Sequence, residues 1–195
     1  MTSGRSLNRY LLFITLAYFT LGFVHIGFAL SGLLCMTIPF VLVFRDRKKS
    51  WCQGYCPRAQ FFDLFRKTGD TAKTPGFLLE RKTRDLVLSY FCMNLFFIAA
   101  STMMVAAGNM APIDRVRILI IFEIPFAMPQ LVSQPVLPPA LLHFSYRIYS
   151  MMTTSFLAGT LLALLYRPRT WCRVCPVSTM SDRVLKNVIQ TSREA

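Results

Sequence analysis

Three long apolar stretches constrain this chain more than any other feature. They cover residues 10–44, 86–107 and 148–166, and each is close to or longer than the roughly 20 residues that cross a bilayer as a helix. Over the whole chain, 54% of the residues are hydrophobic and 16% are charged. A soluble domain of this size cannot bury so much apolar surface. The sequence therefore predicts an all-α integral membrane protein.

The first apolar stretch is too long for one span. As a continuous helix, residues 10–44 would reach roughly 50 Å, whereas a hydrocarbon core is about 30 Å thick. Either one helix protrudes from the bilayer or two short spans fold back on each other. Gly27, Ser31 and Gly32 mark the predicted turn. The hairpin interpretation gives four transmembrane helices in total.

The distribution of lysine and arginine predicts the orientation. Of the 22 basic residues, two precede residue 10, eleven lie in 45–84, six lie in 167–195 and three lie in 108–147. The positive-inside rule places the three richer regions, which include both termini, in the cytoplasm of a bacterial inner membrane. The net charge of +13 is then explained by anionic lipid headgroups, and no nucleic-acid partner is expected.

Residues 108–147 contain six prolines and are predicted to form an outer loop between the third and fourth spans. Within this loop, residues 114–122 (DRVRILIIF) combine basic and apolar residues, which predicts a short interfacial helix. Glu123 is the one acid in the apolar stretch that follows, and we expect a structural ion pair there. The candidate partners are Arg115, Arg117 and Arg147.

A tryptophan–cysteine motif occurs twice, as WCQGYCP from Trp51 and as WCRVCP from Trp171. The matching pairs are Trp51 and Trp171, Cys56 and Cys175, Pro57 and Pro176, and Asp63 and Asp182. This match predicts two tandem repeats, residues 1–82 and 83–195. Each repeat is predicted to be a helix pair followed by a cysteine motif. Because each repeat contributes two spans, both motifs return to the same face of the membrane.

The second cysteine of each motif precedes a proline, and proline favours the first position of a helix. We therefore expect Cys56 and Cys175 at helix N-caps, where free backbone N–H groups and the helix dipole stabilise a thiolate. Arg58 and Arg173 lie close by in the sequence. These features predict a lowered cysteine pKa, which favours metal ligation or nucleophilic attack.

Four motif thiols, one pair from each half, form a complete ligand set for an all-cysteine metal site or an iron–sulfur cluster. They are Cys52, Cys56, Cys172 and Cys175. A structural zinc site, a thiol–disulfide relay and an inert membrane anchor are the alternatives. A relay fits the cytoplasm poorly, because thiols stay reduced there. Cys35 and Cys92 match no motif and are expected to pack as small apolar side chains.

The two histidines lie in apolar context on the predicted outer side. His25 is within the first apolar stretch and His143 precedes the last one. Histidines from two halves could ligate haem b or contact a quinone headgroup. Each could equally hydrogen-bond to a backbone carbonyl or a serine. No catalytic residues are predicted, since no triad, phosphate loop or metalloprotease motif occurs.

The pattern WCQGYCPRAQFFDLF followed by WCRVCPVSTMSD resembles the CxxxCP-bearing membrane domain of the NapH/NosR type, from proteins of nitrate and nitrous oxide reduction. The segment APIDRVRILIIF is similar to that family's outer loop. The resemblance implies a redox subunit that links the quinone pool to iron–sulfur carriers, with cluster ligands among the four motif cysteines. A non-redox scaffold or assembly factor is the competing function.

Two departures from that family affect the expectation. The second motif has two spacer residues between its cysteines rather than three, which changes the angle between the sulfurs. Longer relatives also carry soluble ferredoxin segments with a Cys-x2-Cys-x2-Cys-x3-Cys-Pro run, which is absent from these residues. We therefore expect a ferredoxin-type or quinol-linked partner to continue the electron path, or a purely accessory role.

Overall fold

The computed structural model describes residues 3–48, 50–67, 74–119, 122–125, 130 and 137–194, and it is dominated by helices. The α-helices are α1 (Ser3–Val24), α2 (Gly32–Asp46), α3 (Pro57–Asp63), α4 (Gly76–Leu79), α5 (Arg81–Ala106), α6 (Pro139–Leu165), α7 (Thr170–Val174) and α8 (Pro176–Glu194). Two 3-10 helices cover Ile26–Ser31 and Leu64–Lys67, and a π-helical turn covers Trp51–Tyr55. Two short strands are β1 (Arg117–Ile118) and β2 (Phe122–Glu123).

Among the residues that the structure describes, three helical segments are long and apolar enough to cross a membrane. They are Ile26–Asp46, Arg81–Ala106 and Pro139–Leu165, and a shorter apolar helix covers Tyr10–Val24. The prediction of a helical membrane protein is confirmed at this level. Four spans and a tandem repeat stay predictions.

The chain reverses direction between α1 and α2. The Oη atom of Tyr18 donates a hydrogen bond to the carbonyl of Ala29 at 3.2 Å. Along a continuous helix, eleven residues would separate these positions by about 16 Å. His25 interrupts the helix with extended dihedrals, φ −155° and ψ 126°. The turn therefore lies at the residues that the sequence singled out.

The interfacial helix predicted for residues 114–122 is wrong. Strands β1 and β2 pair antiparallel there, with Arg117 opposite Glu123. β-Branched isoleucines favour extended backbone, and prolines flank this segment on both sides. Leu119 begins the turn with φ 52°, a conformation that non-glycine residues rarely adopt. The same hairpin confirms the predicted ion pair, because Arg117 and Glu123 form a salt bridge.

Helix α6 begins at Pro139 rather than at residue 148, so the loop that follows α5 ends earlier than predicted. Proline is well suited to the first turn of a helix, because its fixed φ is helical and it needs no N–H partner there. The sequence expectation treated the prolines only as helix breakers. As a result, His143 and Arg147 belong to the helix and not to the loop.

The residues group into two compact units, and each draws on early and late parts of the chain. The first contains the described residues within 1–15, 34–91 and 158–195, and the second those within 16–33 and 92–157. Both cysteine motifs belong to the first unit. His25, His143 and the β-hairpin belong to the second.

Aromatic packing holds the second unit together. Tyr149 is buried, and its ring lies against Gly22, where there is no room for a Cβ atom. Its hydroxyl donates to the carbonyl of Phe19 at 3.2 Å, and its ring stacks on that of Tyr18 with centroids 6.1 Å apart. The ring of Phe19 also meets that of Phe156 at 4.6 Å. Small and aromatic residues thus join α1 to α6 within this unit.

Candidate metal centre

The two cysteine motifs share one local fold. In each, a single helical turn starts near the tryptophan and ends at the second cysteine. The backbone N–H of Cys56 donates to the carbonyl of Trp51 at 2.9 Å, and that of Cys175 donates to Trp171 at 2.8 Å. Both second cysteines leave the helical region, with ψ 114° at Cys56 and 127° at Cys175. The chain therefore bends in the same way at both positions.

The different spacer lengths are absorbed by different helix types. The first motif closes as a π turn over Trp51–Tyr55, and the second as an α turn over Thr170–Val174. A π turn closes over five residues and an α turn over four. The extra residue in the first motif is thus accommodated without changing the closing hydrogen bond. The sequence shows the shorter second spacer but not the type of turn that each spacer forms.

Both second cysteines stand at helix N-caps, as predicted. Proline follows each of them, and the first bonds of the next helices are Gln60 N–H to the Cys56 carbonyl at 3.3 Å and Thr179 N–H to the Cys175 carbonyl at 3.0 Å. The Cys175 sulfur also accepts hydrogen bonds from the backbone N–H groups of Val177 and Ser178. The Cys56 side chain makes no such capping bond.

The predicted lowering of the cysteine pKa is wrong for the second motif. Burial raises the pKa of Cys172 to about 12, and the charges of Cys56 and Cys175 add to the effect. Burial also raises the pKa of Cys175, although its backbone hydrogen bonds and Arg58 act in the opposite direction. The unfavourable free energy of removing a thiolate from water here exceeds the stabilisation that the helix N-terminus provides. The sequence showed the cap but not the surrounding packing.

The structure brings the four motif cysteines into one neighbourhood of the first unit. Cys172 interacts electrostatically with Cys56, Cys175 and Cys52, in decreasing order of strength. Its strongest thiol neighbour is therefore a cysteine of the other motif, 116 residues away in the sequence. Electrostatic interaction weakens with distance. Thiols of both motifs therefore lie within electrostatic range of Cys172.

The thiols do not stand at ligand distances as they are. Within the described parts of the chain, no three Cys, His, Asp or Glu side chains are close enough to hold a metal ion. Ligation would require the sulfurs to move closer together. In number and type, the four cysteines match the ligand set of an all-cysteine iron–sulfur cluster. The donor chemistry of this site therefore fits such a group.

Two arginines place positive charge beside the thiols. Arg58 acts on Cys175, and Arg169 acts on Cys172. Arg169 forms a two-pronged ion pair with Asp63, in which its Nε lies 2.9 and 3.1 Å from the two carboxylate oxygens. This hydrogen bonding is the main cause that raises the Arg169 pKa. The guanidinium is thus held in place by the aspartate at the end of α3.

The remaining residues that the sequence predicted to support the site differ in their exposure to solvent. Trp51 and Trp171 are half-buried, and Asp182 is half-buried in α8. Arg173 is exposed. The sequence singled out Arg173, whereas Arg169, two residues before Trp171, is the arginine that acts on Cys172.

A glycine positions α3 in the first unit. Phe62, near the end of α3, is completely buried, and its ring occupies the space beside Gly159 of α6. A Cβ atom at Gly159 would overlap that ring. The tight contact fixes the short helix that begins at Pro57 and ends at Asp63. It therefore helps to set the position of Cys56.

One further thiol lies near this group. Cys35 of α2 interacts electrostatically with Cys56, Cys175 and Arg58. The sequence assigned Cys35 to packing, together with Cys92, which is exposed. No sequence pattern marks Cys35, because only the tertiary fold brings its helix to the motifs.

The two histidines lie in the second unit and use their rings in hydrogen bonds. His143 is fully buried, and its Nδ1 accepts from the N–H of Ile113 at 3.3 Å. Its Nε2 therefore carries the proton and faces Ser101 Oγ at 3.0 Å. His25 Nδ1 accepts from the N–H of Gly27 at 3.0 Å. The contact of His143 with Ser101 matches the predicted hydrogen bond to a serine, whereas the backbone partners of both rings are N–H groups and not the predicted carbonyls. Quinone and haem contacts stay predictions.

A family model described as a 4Fe-4S binding domain matches residues 28–84 and 149–189. Together the two segments make up half of the chain and contain all four motif cysteines. No curated protein and no solved structure gives a significant match.

Proposed function

Because the chain belongs to the 4Fe-4S binding domain family, we propose that its two motifs jointly hold one cluster in a membrane electron-transfer subunit. The ligands would be Cys52, Cys56, Cys172 and Cys175. The observation that supports this proposal is that, among the thiols, Cys56 of the other motif has the largest electrostatic effect on Cys172. When bound, such a cluster supplies one-electron transfer at a potential set by its ligands, charge and hydrogen bonds.

The surrounding residues suit thiolate ligands. The backbone N–H groups of Val177 and Ser178 already face the Cys175 sulfur, and hydrogen bonds to cluster sulfurs tune the reduction potential. Arg58 and Arg169 offset negative charge at the site. Asp63 keeps Arg169 oriented. These groups would stabilise the deprotonated sulfurs that burial alone disfavours.

The finer role follows from the motif resemblance. We place the subunit in a bacterial inner membrane, with both motifs cytoplasmic, where it links the quinone pool to iron–sulfur carriers of a respiratory complex. The NapH/NosR-type pattern around Trp51 and Trp171 supports this role, as does the excess of basic residues in the regions that hold the motifs. The proposed partner is a ferredoxin-type or quinol-linked subunit.

A scaffold function is the second candidate. Its support is that the two motif regions are already joined by direct contacts, through Asp63 with Arg169 and through Thr74 with Thr170 at 3.2 Å. In that case the cysteine segments hold the chain together or dock a partner. A thiol–disulfide relay is less well supported, because attack requires a thiolate and burial raises the Cys172 pKa.

Metal analysis separates these functions. We expect protein purified without oxygen to contain about four iron and four acid-labile sulfide ions per chain, and to give an electron paramagnetic resonance signal on reduction. Replacing all four motif cysteines by serine should remove both. The matched control is Cys92→Ser, which changes an exposed cysteine outside the motifs. A metal-free chain that supports its pathway with all four cysteines replaced would establish the scaffold function instead.

A further inference from the structure

The second unit contains a polar pocket that the cysteine site does not use. It is partly open to the surface and is lined by Asn94, Arg117, Arg147, Ser150, Met151 and Thr154. Two guanidinium groups, one amide and two hydroxyls thus meet among otherwise apolar helices. Such a set of groups calls for a physical explanation, because charged residues are rare in membrane-spanning segments.

Arg147 is the least compensated group of this pocket. It lies in α6, a helix that is long and apolar enough to span a membrane. Its Nε atom is buried and has no hydrogen-bond partner within the described part of the chain. The charge that acts on it is the like charge of Arg117. Removing part of a guanidinium group from water without a hydrogen-bond partner is costly, so a bound anion would stabilise this arrangement.

Arg117 adds a second guanidinium at the same place. It forms a salt bridge with Glu123, yet its Nε is also buried without a hydrogen-bond partner among the described residues. Two arginines and one carboxylate leave one excess positive charge at the pocket. Two Nε–H groups, one from each arginine, therefore remain without a hydrogen-bond partner among the described residues.

Hydroxyl groups of α6 hold the β-hairpin against this helix. The backbone N–H of Arg117 donates to Ser150 Oγ at 3.0 Å, and the N–H of Leu119 donates to Thr154 Oγ1 at 3.3 Å. Ser150 in turn donates to the carbonyl of Tyr146 at 2.7 Å. These bonds keep Arg117 close to Arg147. The pocket is thus built by the fold and does not depend on two freely moving surface side chains.

From this geometry we infer a binding site for a phosphate-class oxyanion at Arg147 and Arg117. Guanidinium groups bind phosphate oxygens through parallel charge-assisted hydrogen bonds, and the Asn94 amide adds a further donor. Free phosphate and the phosphodiester of an anionic phospholipid share this chemistry. In the predicted topology, the loop that carries Arg117 lies on the outer side of the membrane. The inference does not depend on cluster binding.

The test uses the full chain, purified without oxygen, in micelles of dodecyl maltoside, a detergent that carries no phosphate. Thermal unfolding is followed first with added inorganic phosphate and then with added phosphatidylglycerol. We expect one of these probes to raise the Tm. In the Arg147→Gln variant, the same rise in Tm should require at least a tenfold higher concentration of the probe. Arg147→Lys should weaken the response less, since lysine keeps the positive charge but lacks the parallel N–H groups of the guanidinium.

The matched control is Arg115→Gln, which removes an exposed arginine of the same loop that lies 4.0 Å from Asp114. This variant should respond as the unmodified chain does. A response to phosphate identifies a free anion, and a response to phosphatidylglycerol alone identifies a lipid headgroup. No response in the unmodified chain, or equal responses in Arg147→Gln and Arg115→Gln, overturns the inference. If Arg147→Gln does not fold, Arg117→Gln is compared with the same control.

Discussion

At the residue scale, burial decides the protonation of the second motif. The folded chain raises the Cys172 pKa from 9.0 to about 12, so the thiol is neutral at physiological pH when no metal is bound. For a raised pKa, the stabilising contribution is complete below about pH 9 and is lost as the pH rises towards about 12. Metal binding must therefore displace a proton that the fold retains.

Alkylation rates test this protonation state. At pH 8, a shift of three pKa units lowers the thiolate fraction about a thousandfold, and only the thiolate reacts with iodoacetamide. We expect Cys172 of the reduced, metal-free chain to react far more slowly than Cys172 of the denatured chain. Mass spectrometry of the labelled peptide gives both rates. Equal rates would show that the thiol is exposed to water.

Asp63 should matter for the metal site more than for the fold. It is partly exposed and pairs with Arg169, and such ion pairs contribute less than about 1 kcal/mol to stability. We therefore expect Asp63→Asn to leave the Tm nearly unchanged while cluster loss to a chelator becomes several-fold faster. Decay of the visible absorbance measures this loss.

The control for Asp63→Asn is Asp85→Asn. Asp85 pairs with the exposed Arg183 at 2.6 Å, a comparable ion pair that does not involve Arg169. This variant should lose its cluster at the unmodified rate. Identical acceleration in both variants would mean that any lost ion pair has this effect.

At the element scale, each cysteine motif is a single helical turn followed by a helix, and the two turns differ in helix type. Residues Trp51–Tyr55 form a π turn and Thr170–Val174 form an α turn, yet both end on the same type of hydrogen bond. Helix α3 is then held by Phe62 against Gly159. The geometry of the first motif thus depends on a residue in a distant helix.

Gly159→Ala tests that dependence. The added Cβ would overlap the buried Phe62 ring, and overpacking of this kind typically costs about 1–3 kcal/mol. We expect a lower Tm and lower iron occupancy. Adding Phe62→Leu should recover part of both losses, because it relieves the overlap. Gly76→Ala is the control, since nothing lies within 4 Å of a Cβ at Gly76. A Gly159→Ala chain that behaves like this control would contradict the packing account.

Local sequence rules predicted some features of these elements correctly and others wrongly, and each outcome has a physical reason. Proline after cysteine correctly placed Cys56 and Cys175 at N-caps, because capping is decided by neighbouring residues. Residues 114–122 were misassigned because a short apolar run with two arginines is compatible with helix and strand alike. The roles of Arg169 and Cys35 required the tertiary fold, which sequence spacing does not contain.

At the scale of the whole molecule, the fold brings segments that are distant in sequence together within each of its two compact units. Three helices have the length and apolar character to cross a bilayer. The basic residues predict that the cysteine motifs face the cytoplasm and that the loop after α5 faces outwards. Orientation therefore decides which compartment can exchange electrons with the site.

Thiol labelling of intact spheroplasts tests this orientation. We expect Asn109→Cys, an exposed position directly after α5, to react with a membrane-impermeant maleimide added outside. An introduced cysteine at exposed Arg173 should react only after the membrane is opened. Both variants are made in a chain whose native cysteines are serine, so that each label has one target. The reverse labelling pattern would contradict the predicted topology.

The most direct test of the central claim is the iron content of two double variants, Cys52→Ser with Cys56→Ser, and Cys172→Ser with Cys175→Ser, each purified without oxygen. If both motifs hold one cluster, removing either pair should reduce iron from about four ions per chain to near zero. Retention of about half or more of the iron in either variant would contradict a shared site and indicate that each motif binds metal separately.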